Sequence, residues 1–410
     1  MTKGPSIVST AAAIPYFDLS DPSFSIRSEA VRAAREQGWY AETNYGIAVL
    51  RYDEVSRLIK DRRLRQGSRK WPALNGVCGP WAEWWLKALL NLEGTDHRRL
   101  RRLLNPAFSP GLIASMTPHF RALADQLIDG FIDDGRCEFV SQFAEPYAAR
   151  VIATMLGIDQ HDWPTIAEWS STLGLALDVR IRDNLAAIEA ALEGLYGYAD
   201  ALIADRRAHP ADDFMTRLVQ AQEDEDRLTH DELRVHVVLL IFGGVDTTRN
   251  QLGLALETFV EQPEQWELLA ARPELAASAV EEVMRLNPTV TWVTREALED
   301  FEFQGLEIAQ GTVIHFFSTS AGTDPRTFGG AAFDITVEGR PRHFGFGWGV
   351  HHCIGHFLAR SDMAEALSLL AARLQAPWLT GPVRSLPPSG NTGPIELPLA
   401  FTPRSATSAT

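Results

Sequence analysis

The sequence predicts a mainly α protein with small β-sheets. Two observations carry this. Long runs with apolar residues at helical spacing dominate, at 118–134, 186–209, 233–262 and 354–375. Strand-like runs are short and few, at 46–51, 301–303 and 313–317, which places small sheets near the N-terminus and between residues 290 and 320. The helix at 233–262 has a defined start, because Thr229 and Glu232 form a T-x-x-E capping box, and Pro263 marks its end. The helix at 354–375 is closed by Pro377. No repeat or Ser/Gly linker interrupts the chain, so residues 1–410 read as one domain, with frayed tails at 1–15 and 403–410.

Composition bounds the function. The mix of 45% hydrophobic and 22% charged residues is that of an ordinary soluble protein. A net charge of -15 makes nucleic acid a poor partner. The longest apolar run, 237–245, is too short to span a membrane, and the N-terminus lacks the apolar core of a signal peptide. Three scattered cysteines, Cys78, Cys137 and Cys353, cannot build a disulfide framework and fit a reducing cytoplasm.

The most informative stretch is His343-Phe-Gly-Phe-Gly-Trp-Gly-Val-His-His-Cys353-Ile-Gly355. Alternating glycines let the backbone bend and approach a flat ligand closely. Cys353 opens the helix at 354–375, where the dipole and free N–H groups favour a thiolate. Such a thiolate is a strong axial ligand for haem iron. A lone cysteine in a glycine-rich loop is more often incidental, so spacing must decide. Gly345-x-Gly347-x-Gly349 misses the dinucleotide fingerprint, and no C-x-x-C pair supports a zinc site.

Phe346-Gly347-x-Gly349-x-His351-x-Cys353-x-Gly355 resembles the haem-binding signature of the cytochrome P450 superfamily, with every fixed position filled. The resemblance implies the cytochrome P450 fold, a mainly α, triangular-prism α+β architecture around one haem b (iron protoporphyrin IX). It implies the soluble bacterial type, a monooxygenase that cleaves O2 and inserts one oxygen atom into an organic substrate. Cys353 is then the metal ligand, and Phe346, Gly347 and Gly355 shape its haem-binding loop.

Three further motifs follow in the family's order. Gly243-Gly244-Val245-Asp246-Thr247-Thr248 lies inside the long helix, where glycine costs about 1 kcal/mol relative to alanine. Alone it reads as close helix packing. Beside Cys353 it is similar to the family's oxygen-binding groove, in which a helix distortion opens room over the iron. Gly243 and Gly244 then line the cofactor, and Asp246 and Thr247 are the catalytic acid–alcohol pair. Dioxygen cleavage consumes protons, and a hydroxyl and a carboxylate can supply them. Glu282 and Arg285 form an E-x-x-R pair on one helix face. By resemblance it is a buried structural salt bridge. The family's third member would be an arginine where Val337 stands, with Arg340 or Arg342 as substitutes.

His97 and Arg101 lie one helical turn apart and, unaided, read as an exposed basic face. By resemblance they bind the haem propionates, together with Arg295 and His351. The tryptophan-rich segment 71–92 (Trp71, Trp81, Trp84, Trp85) would roof the substrate pocket, with the stretches around 173–177 (Leu173, Leu177) and 290–293 (Val290, Trp292) as further walls. Few charges fall there, so a small apolar or aromatic substrate is expected, for hydroxylation, O-dealkylation or epoxidation. No flavin or iron–sulfur segment is visible, so a separate ferredoxin with its reductase is the expected electron donor. It would dock near Cys353 on Arg98, Arg99, Arg102, Arg342 and His352. A cytoplasmic monomer is expected. Two alternatives stay open: a peroxide-using haem-thiolate peroxygenase, against which Asp246-Thr247 argues, and a non-catalytic haem sensor or electron carrier.

Overall fold

In a computed structural model, residues 13–404 are described except 212, 221–227, 330–331 and 388. The long central helix runs His230–Val260, 31 residues, and begins at the expected capping box: the Thr229 side chain accepts from the Glu232 N–H while Glu232 reaches back to the Thr229 N–H. At ~1.5 Å per residue it spans some 45 Å. It is buried along most of its length. The helices Glu145–Leu156, Trp163–Gly174 and Ile181–Ala208 pack against it. The helix that follows Cys353 is His356–Arg373, packed against Pro110–Asp129.

The helix expected at 118–134 begins instead at Pro110, and Pro118 lies inside it. Pro118 is on the exposed side, where the Ala114 carbonyl that loses its N–H partner is open to solvent. Its position on the wet face makes it tolerable mid-helix.

Two of the three expected strand runs join in one sheet, and the third, Phe301–Phe303, pairs with Leu306–Ile308 as a separate two-stranded sheet. Gly46–Val49 pairs in parallel with Val313–Phe317, with Ile47 opposite Ile314. Val313–Phe317 in turn pairs antiparallel with Trp292–Ala297, with Arg295 opposite Ile314. Tyr16–Phe17, Tyr40–Thr43 and Leu64–Gln66 complete six strands. On one face Ile47, Val49, Ile314 and Phe316 form an apolar cluster. A further sheet, Leu374–Leu379, Pro398–Pro403 and Arg136–Glu138, was not anticipated. It anchors the chain's end: Pro403 pairs with Leu374, and the Arg404 N–H donates to the Arg373 carbonyl at 2.9 Å. Residues 403 and 404 are therefore held, not frayed. Strand Tyr16–Phe17 follows directly on the other expected tail, whose residues 1–12, like 405–410, lie outside the described residues. Among the described residues no helix is long and apolar enough to cross a membrane, and no group of three or more metal-ligating side chains occurs.

Candidate active site

Two left-handed glycines shape the cysteine loop. Gly347 has φ +67° and Gly349 φ +70°, a region that strains any residue with a Cβ. The Gly347 N–H donates to the Phe344 carbonyl at 2.8 Å and the Cys353 N–H to the Phe346 carbonyl at 2.9 Å, so the loop folds back on itself. Gly355 caps the following helix and gives its N–H to the Cys353 sulfur. Cys353 thus sits three residues before the first helical residue, because the helix starts two residues later than expected.

Cys353 presents its surface to a cavity of about 420 Å³ while the surrounding protein packs closely behind it. Burial pushes the thiol pKa up, and the Gly355 N–H, Arg101 and Arg360 pull it down. In the protein alone, burial outweighs the Gly355 N–H and the two arginines. A bound metal cation inverts that balance, because a coordinating thiol is deprotonated.

The central helix passes the same cavity, and its two glycines do different work. A Cβ on Gly243 would meet nothing within 4 Å, whereas one on Gly244 would lie 2.1 Å from Ile152 Cδ1. Gly243 keeps the cavity open and Gly244 permits close packing on the neighbouring helix. The helix stays α-helical through 243–248, so the expected distortion is absent. What exists in its place is a side-chain bond: Thr247 Oγ1 donates to the Gly243 carbonyl at 2.6 Å.

Thr247 lines the cavity and Asp246 does not. Asp246 is fully buried, held by Arg249 Nη2 at 2.8 Å, Asn250 Nδ2 at 3.3 Å and Asn391 Nδ2. Burial raises its pKa, opposed by Arg249 and the two amides. Asn391 does line the cavity, so it joins the carboxyl to that space. Its own Oδ1 accepts from Thr289 Oγ1 at 2.5 Å.

His97 and Arg101 come from helix Gly94–Leu104 and, with His351, reach the cavity. The His97 and His351 rings stand 4.4 Å apart. Arg101 Nη2 donates to the His352 carbonyl at 2.5 Å. Burial, helped by His351 and Arg101, lowers His97 to about 4. His351 Nε2 bonds Glu93 Oε1 at 3.2 Å. Arg295 stands one layer back: its Nη1 donates to Gln66 Oε1 at 2.6 Å and Gln66 lines the cavity. Burial lowers Arg295 to about 10, opposed by Glu93.

Glu282 and Arg285 form a buried two-pronged pair at 2.6 and 2.7 Å, each only 2% exposed. The third member is Arg340, at 3.2 Å from Glu282, while Val337 is exposed. Arg342 instead lies over the Trp348 ring. Two other expectations are corrected. Leu173 is fully buried outside the cavity, and Leu177, the last residue of the short 3-10 turn Leu175–Leu177, lies on the wall. Of the four tryptophans only Trp71 and Trp85 line the cavity; Trp81 and Trp84 are core. Trp85, Val290 and Trp292 line the cavity. Arg99 is committed to Glu232 at the start of the central helix, away from a free docking role. Sequence reasoning missed Gln66, Asn391 and His315 on the wall. The signal for His315 was a polar residue in the apolar strand Val-Ile-His-Phe-Phe.

The donor set fits a haem. The cavity offers one sulfur, largely apolar walls, and a glycine, Gly355, whose absent side chain leaves the cavity clear beside Cys353. His97 Nε2 and His351 Nδ1 are buried without a hydrogen-bond partner, as positions awaiting carboxylates would be.

The comparisons agree. The cytochrome P450 family model matches residues 183–376. Luteothin monooxygenase of Streptomyces thioluteus is 39% identical over 395 residues, covering 95% of this chain and 97% of that protein. Mycinamicin IV hydroxylase/epoxidase of Micromonospora griseorubida is 32% identical, covering 86% and 89%. The crystal structure of CalO2 superposes with a TM-score of 0.83 at 28% identity, over 91% of this chain and 95% of that one. A cysteine facing an apolar cavity beneath a Thr-bearing helix, together with relatives matched nearly end to end, leads to one conclusion: the chain belongs to the cytochrome P450 family and is a haem-thiolate monooxygenase.

Proposed function

We propose that the chain holds haem b through Cys353 and hydroxylates a small, predominantly apolar or aromatic molecule of secondary metabolism, with electrons from a separate ferredoxin-type donor. The observation that carries this is the shared cavity: Cys353, Thr247 and the apolar walls Trp85, Leu89, Val290 and Trp292 face one space. Haem bound there supplies dioxygen activation, chemistry no side chain offers. His97, Arg101 and His351 hold its propionates, and Arg295 braces Gln66 behind them.

The chain's own residues handle water, protons and orientation. The walls exclude bulk water and orient an apolar substrate by shape. Thr247 swings its hydroxyl from the Gly243 carbonyl into the cavity and holds a proton there. Asp246, kept in place by Arg249 and Asn391, replenishes it from the protein interior. The names of the relatives, luteothin and mycinamicin IV oxygenases, favour a secondary-metabolite substrate. The Asp246–Thr247 pair favours dioxygen over peroxide as oxidant.

The test is isotopic. Purified holoenzyme with a plant-type ferredoxin, its reductase and NADPH is offered a panel of apolar aromatic compounds under 18O2. Product should gain one labelled oxygen, and only with the ferredoxin present. Product formed from hydrogen peroxide alone at an equal rate would favour the peroxygenase reading.

A further inference from the structure

Among the described residues, three cavity-lining side chains carry a buried polar atom without a hydrogen-bond partner: His97, His351 and His315. The first two sit together and suit the propionates. His315 stands apart, on the sheet wall. It is 2% exposed, and the atom without a partner is Nδ1.

The sheet fixes where this ring points. Strand Val313–Phe317 alternates faces, so Val313 and His315 line the cavity while Ile314 and Phe316 enter the apolar cluster behind. Pairing with Ala48 on one side and Thr294 on the other holds the strand in register. The ring is wedged between aromatic neighbours, edge-on to Trp292 at 5.7 Å and 6.4 Å from Tyr45. Burial lowers its pKa to about 4, opposed by a hydrogen bond to the Ile47 backbone. The imidazole is therefore neutral near pH 7, and a neutral imidazole keeps one ring nitrogen as an acceptor. A valine would fill the same wall without leaving a polar atom unsatisfied. The other cavity-lining amides and hydroxyls nearby, Gln66, Ser68, Thr289 and Asn391, are already bonded to protein.

We propose that His315 is the polar anchor of the substrate pocket, its Nδ1 accepting a hydrogen bond from a hydroxyl or N–H group on an otherwise apolar or aromatic substrate. This rests on the reading of the cavity as the haem and substrate site. It narrows the substrate class from apolar molecules in general to those with one donor group set away from the carbon that is oxidised.

The experiment titrates ferric holoenzyme with biphenyl, 2-, 3- and 4-hydroxybiphenyl and their methyl ethers, reading the high-spin shift. One hydroxy isomer should bind roughly fivefold tighter than biphenyl and than its own ether, the scale of one neutral hydrogen bond. His315→Phe should erase that preference while biphenyl affinity, haem content and the carbonyl spectrum stay as in the wild type. His315→Asn, which keeps an acceptor near the Nδ1 position, should retain part of it. The proposal is overturned if no hydroxy isomer is preferred by the wild type, if the preference survives His315→Phe, or if His315→Phe loses haem, which would make the ring a cofactor ligand. If no probe, biphenyl included, shifts the spectrum, the reading of the cavity itself fails and takes the anchor with it.

Discussion

Replacing Arg285 by methionine removes one half of the most enclosed ion pair in the haem-side core. The loss can be sized from the contacts. Arg285 gives two bonds to Glu282 at 2.6 and 2.7 Å, one to the Gly322 carbonyl at 2.6 Å and one to the Ala332 carbonyl at 3.1 Å. Without it Glu282 stays buried with only Arg340 at 3.2 Å and the Asp334 N–H at 3.1 Å. Breaking a buried pair from one side costs about 3–5 kcal/mol. Arg340, itself 18% exposed, offsets part of this, so about 3 kcal/mol is expected. Arg340→Ala, which removes the outer and longer contact, should cost only about 1 kcal/mol. The assay is urea unfolding of holoenzyme, followed by tryptophan fluorescence and by the Soret band. The cause is tested by adding Glu282→Gln to Arg285→Met: if the unpaired buried charge is responsible, the double variant should recover at least about 1 kcal/mol. Equal losses in Arg285→Met and Arg340→Ala, or no recovery in the double variant, would refute the reasoning.

Other expectations follow from the same geometry. Thr247→Ala should bind haem and substrate and still consume reductant, with product falling several-fold and hydrogen peroxide rising in step; unchanged coupling would leave Thr247 its bond to Gly243 alone. Asp246→Asn should slow turnover and raise the solvent isotope effect without weakening substrate binding, because the proton source is lost and the pocket wall is not. Gly244→Ala should destabilise by about 1–3 kcal/mol through its clash with Ile152, whereas Gly243→Ala should leave the unfolding midpoint unchanged and alter ligand affinity. Arg98→Glu with Arg102→Glu should raise the apparent KM for the ferredoxin in a salt-dependent way and leave the carbonyl spectrum alone, and stopped-flow reduction at two ionic strengths checks it.

What could be read from the sequence was what local spacing determines. The cysteine loop is thirteen consecutive residues with its glycines in register, and the structure gives two of them the left-handed backbone that only glycine adopts freely. The capping box at Thr229 and Glu232 is equally local, and it starts the helix where expected. That Glu282 and Arg285 share one helix face needed only helical periodicity, and that they form a buried pair came from the resemblance. What depended on three-dimensional packing was harder. Which arginine completes the Glu282 cluster turns on how the loop after Asp334 folds back, so Arg340 and Arg342 were indistinguishable beforehand. Leu173 and Leu177 differ by a single turn, and the change from α-helix to the 3-10 turn Leu175–Leu177 puts the second of them on the cavity wall. Arg99 looked free on a basic helix until the central helix brought Glu232 to it. His315 lies in a run read only as a short strand, and its unpartnered ring nitrogen on the cavity wall depends on how the sheet packs.

The central claim is that Cys353 is the proximal ligand in this cavity. The most direct measurement is the absorption spectrum of the ferrous carbonyl complex of wild type and Cys353→Ala, at matched haem content and matched circular dichroism. The wild type should show the strongly red-shifted Soret band of thiolate ligation, and Cys353→Ala should lack it; a variant that keeps the red-shifted band would contradict the assignment.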